Sequence, residues 1–173
     1  MAIVLLAATA CGMVEARSGS ERADVVPTTA PDPEFPATPL APMPRAYDPK
    51  GEAGAEIAAA FAKAKADGLP LLLDFGARWC AECAVLQRAF RHRAVRPLLA
   101  NYHVVTIDVG RMDRHLELAR KYGLELRKTG IPALIVLSPN GKVRTAGNEG
   151  LYPASANGEL RHENVAAFLR RWR

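Results

Sequence analysis

Two cysteines, Cys80 and Cys83, stand between an apolar run and a helical segment, and this arrangement constrains the fold more than any other feature. The run at 71–75 (LLLDF) predicts a buried strand. Residues 81–96 place apolar side chains on one face at helical spacing, and Pro97 is predicted to end that helix. The pair therefore lies where a strand passes into a helix N-terminus.

The remaining periodic segments extend this unit into an α/β fold. A strand–helix–strand order predicts a parallel pair with a right-handed crossover, and the turn at 138–141 (SPNG) predicts an antiparallel hairpin. Asp113 is predicted to cap the third helix. The predicted helices are 51–67, 81–96, 113–122 and 159–171, and the predicted strands are 71–75, 102–108, 133–137 and 142–146. Together they predict a small mixed four-stranded sheet flanked by helices.

The position of the cysteine pair predicts redox chemistry. A helix N-terminus offers unpaired backbone N–H groups and a positive dipole end, and both favour a thiolate over a thiol. Cys80 is therefore predicted to be the nucleophile. Cys83 lies one turn further along the helix, where it is placed to attack a mixed disulfide and release the substrate.

Other uses of a Cys-x-x-Cys pair lack a part in this sequence. A zinc site needs about four ligands, and no second cysteine pair or nearby paired histidines exist. Covalent haem attachment needs a histidine where Ala84 stands, and iron–sulfur clusters need about four thiolates. We therefore expect neither a metal nor a cofactor beyond a redox-active Cys80–Cys83 disulfide. A metal site and an inert structural disulfide remain the alternatives.

The N-terminal segment, residues 1–17, is interpreted as an export signal. Residues 2–10 (AIVLLAATA) are apolar or small, too short to span a bilayer, and suited to the core of a secretory signal. Together with Cys11 they resemble a bacterial lipobox, in which the cysteine is lipidated. A plain cleavage site at 8–10 and a buried apolar N-terminus are the alternatives. Export implies a periplasmic or cell-surface location, with a lipid anchor if Cys11 is lipidated.

Residues 18–50 are interpreted as a disordered linker and residues 51–173 as one folded domain. Eight of the 13 prolines fall between Pro27 and Pro49, where they disfavour helix and sheet. The chain carries a net charge of +5, but its basic residues form no compact run interleaved with aromatics. Nucleic acid is therefore not expected as a partner.

The stretch at 73–83 (LDFGARWCAEC) resembles the thioredoxin family's pattern of hydrophobic–Asp–Phe–x–Ala–x–Trp–Cys–x–x–Cys. The resemblance covers about residues 51–173 and implies a thioredoxin-like fold. It implies that Asp74 is the family's buried acid, a proton shuttle for Cys83. It also implies that Trp79 packs beside the disulfide.

The segment Thr129-Gly130-Ile131-Pro132 resembles the family's loop with an isoleucine and a cis-proline. The resemblance implies that this loop faces the cysteines and that Ile131 and Pro132 contact the extended substrate chain.

Ala81 and Glu82 replace the Gly–Pro of cytoplasmic thioredoxin, and no histidine lies between the cysteines. Glu82 adds negative charge near the nucleophile, which favours a reductant. The lysine that partners the buried acid in thioredoxin has no match. The resemblance therefore implies a monomeric protein-disulfide reductase acting on extracytoplasmic proteins, with a transmembrane thiol carrier as electron donor. A disulfide-forming oxidase or isomerase and a non-catalytic binding module are the alternatives.

Overall fold

The computed structural model describes residues 46–152 and 159–173. The predicted signal segment at 1–17, the lipidation site Cys11 and most of the predicted linker at 18–50 lie outside the described residues, so they remain predictions.

A four-stranded mixed sheet forms the centre of the domain. Its strands are β1 (Leu71–Gly76), β2 (His103–Asp108), β3 (Ala133–Leu137) and β4 (Val143–Gly147). The spatial order is β2-β1-β3-β4, with β1 and β2 parallel and the other neighbouring pairs antiparallel. Since β1 has a neighbour on each side, its six residues are all buried, as its apolar run predicts. The predicted small mixed four-stranded sheet is confirmed.

Helices cover both faces of this sheet. Strand alternation directs Leu71 and Leu73 into a core shared with the first helix, and Leu72 into a core shared with the second and last helices. The helices are α1 (Ala53–Asp67), α2 (Ala81–Arg91), α3 (Arg96–Leu99), α4 (Leu116–Lys121), α5 (Leu126–Thr129) and α6 (His162–Trp172).

Three predicted helix boundaries are wrong by three residues or more, and one of them is the start of the last helix, which lies at His162 rather than at residue 159. The second helix ends at Arg91 rather than at residue 96, and Pro97 lies in the first turn of α3, where a missing N–H costs nothing. Asp113 does not cap the third helix, because its Oδ1 accepts the Arg111 N–H at 2.9 Å within the preceding turn. That helix instead begins after His115, which has a left-handed φ of 55° and makes no side-chain cap.

The start of the folded part is also earlier than predicted. Tyr47, which the sequence interpretation places in the linker, is only 2 % exposed and packs against the core that contains α1. Lys50 N–H bonds Asp48 at 2.9 Å and Gly51 N–H bonds the Asp48 carbonyl at 3.0 Å, which turns the chain into α1. Residues 46–50 therefore belong to the domain.

Candidate active site

The cysteine pair lies where β1 gives way to α2, and the two residues form a disulfide. The turn between them and the strand is closed by the Cys80 N–H, which donates to the Ala77 carbonyl at 3.1 Å. Cys80 is the N-cap residue of α2, and Cys83 lies in the first turn. Cys80 is 7 % exposed whereas Cys83 is fully buried, so an incoming sulfur can reach only Cys80 without a rearrangement.

The surroundings of the Cys80 sulfur suit a sulfur that gains negative charge. The Cys83 backbone N–H donates to Cys80 Sγ at 3.1 Å. The sulfur thus accepts the hydrogen bond that the side-chain oxygen of an N-cap residue usually accepts. This donor and the helix N-terminus both stabilise a thiolate at Cys80. Neither contact depends on a charged side chain.

The loop before β3 faces the same sulfur. The peptide bond between Ile131 and Pro132 is cis, and the Ile131 carbonyl oxygen lies 3.7 Å from Cys80 Sγ. Pro132 is buried, while Ile131 is half-buried. The structure thus brings together the cysteines and the loop that the sequence places about fifty residues further on.

Asp74 is fully buried in β1 and is held by two side-chain donors. The Tyr47 hydroxyl donates to both carboxylate oxygens, each at 3.0 Å, and Gln87 Nε2 donates to Oδ2 at 2.8 Å. Burial raises the pKa of Asp74 to about 7, against the opposing effect of the hydrogen bonds from Tyr47 and Gln87. This carboxyl group can therefore take up and release a proton near neutral pH.

The phenol of Tyr47 is a permanent donor in this network. Burial, and secondly the negative charge of Asp74, raise the pKa of Tyr47 far above its ordinary value, so the hydroxyl keeps its proton. Gly76, two residues after Asp74 on the same strand, leaves the space for the ring, because a Cβ at Gly76 would clash with the Tyr47 ring. The absence of a side chain at Gly76 therefore allows the Tyr47 ring to cover Asp74.

Gln87 complements the carboxyl group in a different way. Its Nε2 is bonded to Asp74, but its Oε1 is buried and has no partner among the residues that the structure describes. A rotated amide would present Oε1 as an acceptor to a protonated Asp74. The amide can therefore serve either charge state of the acid.

Sequence reasoning missed both partners of Asp74. Gln87 carried a signal, since it is a polar residue on the inward face of α2 beside Cys83, Leu86 and Phe90. Tyr47 carried none, because it follows a proline-rich stretch whose composition predicts an extended chain.

Trp79 and Glu82 border the cysteines on the solvent side. Trp79 is 57 % exposed, and its Nε1–H donates to the Gly110 carbonyl at 2.6 Å, which fixes the ring beside the loop after β2. Glu82 is exposed, and it lies near Tyr152 in the segment after β4. Burial and the neighbouring Glu82 raise the pKa of Tyr152 to about 12.

The described residues, 46–152 and 159–173, lack two further features. These residues contain no group of three or more metal-ligating side chains that would hold an ion. They also contain no helix long and apolar enough to cross a membrane.

Comparisons with known proteins place this geometry in a family context. A family model described as thioredoxin-like matches residues 52–139. A disulphide isomerase from Xylella fastidiosa Temecula1 is 33% identical, with a TM-score of 0.65, over 75% of this chain and 98% of the other. The reduced C-terminal domain of DsbD from Neisseria meningitidis is 22% identical, with a TM-score of 0.54, over 69% and 96%. A search of curated proteins found no significant match.

Proposed function

The chain belongs to the thioredoxin-like family and is a thiol–disulfide oxidoreductase, and from this premise we propose that it reduces disulfides in extracytoplasmic proteins. The observation that carries the proposal is the environment of Cys80. Its sulfur is the exposed member of the pair, caps α2, accepts the Cys83 N–H at 3.1 Å and lies 3.7 Å from the Ile131 carbonyl.

The reaction begins with the dithiol form. The Cys80 thiolate attacks one sulfur of the substrate disulfide, the substrate S–S bond breaks, and the departing substrate sulfur takes up a proton. Cys83 then loses its proton and attacks Cys80 Sγ. The mixed disulfide breaks, the second substrate sulfur leaves as a thiol after protonation, and the chain is left with the Cys80–Cys83 disulfide. Two electrons and two protons have passed to the substrate.

Asp74 is proposed to move the proton in the second step. As a carboxylate it accepts the Cys83 proton, and as an acid it returns a proton to the leaving sulfur. A pKa of about 7 supports both roles, because the two charge states of Asp74 are then comparably populated at neutral pH. Ile131 and Pro132 are proposed to hold the extended substrate chain, and Trp79 to offer it an aromatic surface.

The direction of electron flow is proposed from the two residues between the cysteines. A strongly oxidising pair needs a reduced form stabilised by extra interactions with the thiolate. Here the side chain between the cysteines that carries charge is Glu82, whose carboxylate opposes a negative sulfur. This supports a reductant. Disulfide isomerisation is the second candidate, favoured by the 33% identity to the Xylella protein described as a disulphide isomerase.

The cellular setting is proposed from the N-terminal sequence. The apolar residues 2–10 followed by Cys11 support export and lipid anchoring. An exported reductant must be reduced again after each turnover, and we propose a transmembrane thiol carrier as its electron donor.

The first experiment measures the reduction potential of the full chain carrying Cys11→Ser, so that only the active-site pair titrates in glutathione buffers. A potential near or below about −230 mV supports a reductase, on a scale that runs from about −270 mV for thioredoxin to about −120 mV for a strong oxidant. A potential above about −180 mV would assign the chain to disulfide formation or isomerisation.

Two variants test the separate roles of the cysteines. Cys80→Ser should abolish the reduction of a protein disulfide, whereas Cys83→Ser should accumulate a mixed disulfide with substrate that is resolved only by added thiol. Full activity of Cys80→Ser would remove the catalytic proposal and leave the binding module in its place.

A further inference from the structure

A groove with three exposed arginines opens beside the active site. Its rim carries Arg78 from the turn before α2, and Arg88 and Arg91 from α2 itself. Tyr47 and Gln87, the two donors to Asp74, contribute to its lining. The groove therefore lies over the buried acid.

The same groove is joined directly to the backbone of Cys80. Ala77 and Ala84 both line it. The Ala77 carbonyl accepts the Cys80 N–H at 3.1 Å, and the Ala84 N–H donates to the Cys80 carbonyl at 3.1 Å. A chain bound in the groove would thus run next to the residue that attacks its disulfide.

No acidic residue in the described lining of the groove balances its positive charge. The side chains of Arg78 and Arg88 make no hydrogen bond or ion pair within the described ranges, and the Arg91 side chain only donates to the Gln87 carbonyl at 3.5 Å. On the other side of Arg78, by contrast, a second groove contains its own acids, and there Arg114 lies 3.5 Å from Asp108.

We propose that this groove binds an acidic segment of the substrate protein, next to the disulfide that Cys80 attacks. Guanidinium groups bind carboxylates in a planar, two-point geometry, and three of them around one groove favour Asp and Glu over neutral residues. Exposed charges at the rim of an interface act mainly on the association rate and on its dependence on salt. The proposal rests on the proposed reductase function and adds a substrate class to it.

The test uses the full chain in its reduced form and two disulfide peptides that differ only in the residues flanking the cystine. One peptide carries Asp and Glu at those positions and the other carries Asn and Gln. Single-turnover rate constants are measured at low and at high salt. We expect the acidic peptide to react about tenfold faster at low salt, and the difference to vanish at high salt because the steering charges are screened.

Charge-removal variants assign the effect to the groove. Replacing Arg78, Arg88 and Arg91 by Gln should abolish the preference for the acidic peptide, measured as the ratio of its rate constant to that of the neutral peptide with the same variant. The matched control replaces Lys142, Arg170 and Arg173, three exposed basic residues outside this groove, by Gln. The control removes the same net charge and should keep the preference.

Three results would overturn the proposal. They are equal rates with the two peptides, a preference that survives the groove variant, and equal losses in the groove and control variants. Binding to vesicles of anionic lipid that depends on the groove arginines, without any preference between the peptides, would assign the groove to a membrane surface instead.

Failure of the reductase function would look different. In that case neither peptide is reduced, but the Cys80→Ser variant still reports on the groove through peptide binding. Tighter binding of the acidic peptide to Cys80→Ser, lost on removal of the groove arginines, would uphold the docking proposal alone. Equal binding of the two peptides to that variant would refute it.

Discussion

Replacing Tyr47 by Phe should raise the pKa of Asp74 and shift the pH dependence of the reaction. The substitution keeps the ring that fills the space over Gly76 and removes only the hydroxyl that donates to both oxygens of Asp74 at 3.0 Å. The carboxylate then retains a single side-chain donor, Gln87 Nε2 at 2.8 Å. The lost hydrogen bond stabilises the carboxylate of Asp74 more than its neutral acid. Its removal therefore increases the population of the neutral acid.

The size of the shift follows from the strength of a hydrogen bond to a charged group. Such a bond contributes about 1.5–3 kcal/mol, and one pKa unit corresponds to about 1.4 kcal/mol, so the shift is about 1–2 units. The pKa of Asp74 is about 7 in the intact chain, and in Tyr47→Phe we expect a value of roughly 8–9.

The assay is a carbon-13 NMR titration of the aspartate side-chain carboxyl in the oxidised chain, repeated as the pH profile of single-turnover reduction. Tyr122→Phe is the control, because Tyr122 makes no contact with Asp74 in the structure. Gln87→Leu should shift the titration in the same direction as Tyr47→Phe, since it removes the other donor. An unchanged or lowered pKa in Tyr47→Phe would refute the assigned role of the phenol.

Further predictions concern Asp74, Gly76 and Trp79. Burial raises the pKa of Asp74 from its ordinary value of 3.8 to about 7, so the folded state binds this proton more tightly than the unfolded state does. The free energy of unfolding therefore falls as the pH rises from about 4 to 7. Asp74→Asn should therefore stabilise the chain by up to about 4 kcal/mol at pH 8 and by little at pH 4, as measured by urea unfolding; an equal effect at both pH values would contradict this. Gly76→Ala should displace the Tyr47 ring, cost about 1–3 kcal/mol in the same assay, and raise the Asp74 pKa in the NMR titration; full stability with an unmoved titration would count against the clash. Trp79→Ala should slow reduction of a protein disulfide about fivefold, the equivalent of about 1 kcal/mol of aromatic contact, without moving the potential of the Cys80 couple; a changed potential would point to a structural role instead.

The sequence predicted the parts of the fold and the site that depend on short stretches of chain. The apolar run at 71–75 corresponds to β1, Leu71–Gly76, and the predicted helix starts at Ala81 as observed. The strand, the cysteine pair and the helix start are all determined by adjacent residues. The contact between Ile131 and Cys80 could be predicted only from the family resemblance, because fifty residues separate them.

The parts that escaped prediction depend on contacts between distant segments. The second helix stops at Arg91, where His92 turns to an extended backbone and its ring packs on His162 of α6 with 3.6 Å between ring centroids. No residue close to Arg91 in the sequence indicates that the helix ends there, whereas Pro97 wrongly indicates a later end. Similarly, the burial of Tyr47 is decided by the space that Gly76 leaves on β1, 29 positions further along the chain.

The match to the family model starts at residue 52, so the phenol that covers the buried acid lies ahead of the matched residues. A chain that begins at residue 52 would keep every described helix and strand and both active-site cysteines, but it would lack Tyr47. Asp74 would then lack the hydroxyl that donates to both of its oxygens, and its pKa should rise. In this domain the proton chemistry of the buried acid therefore depends on a residue ahead of α1 that belongs to no helix or strand.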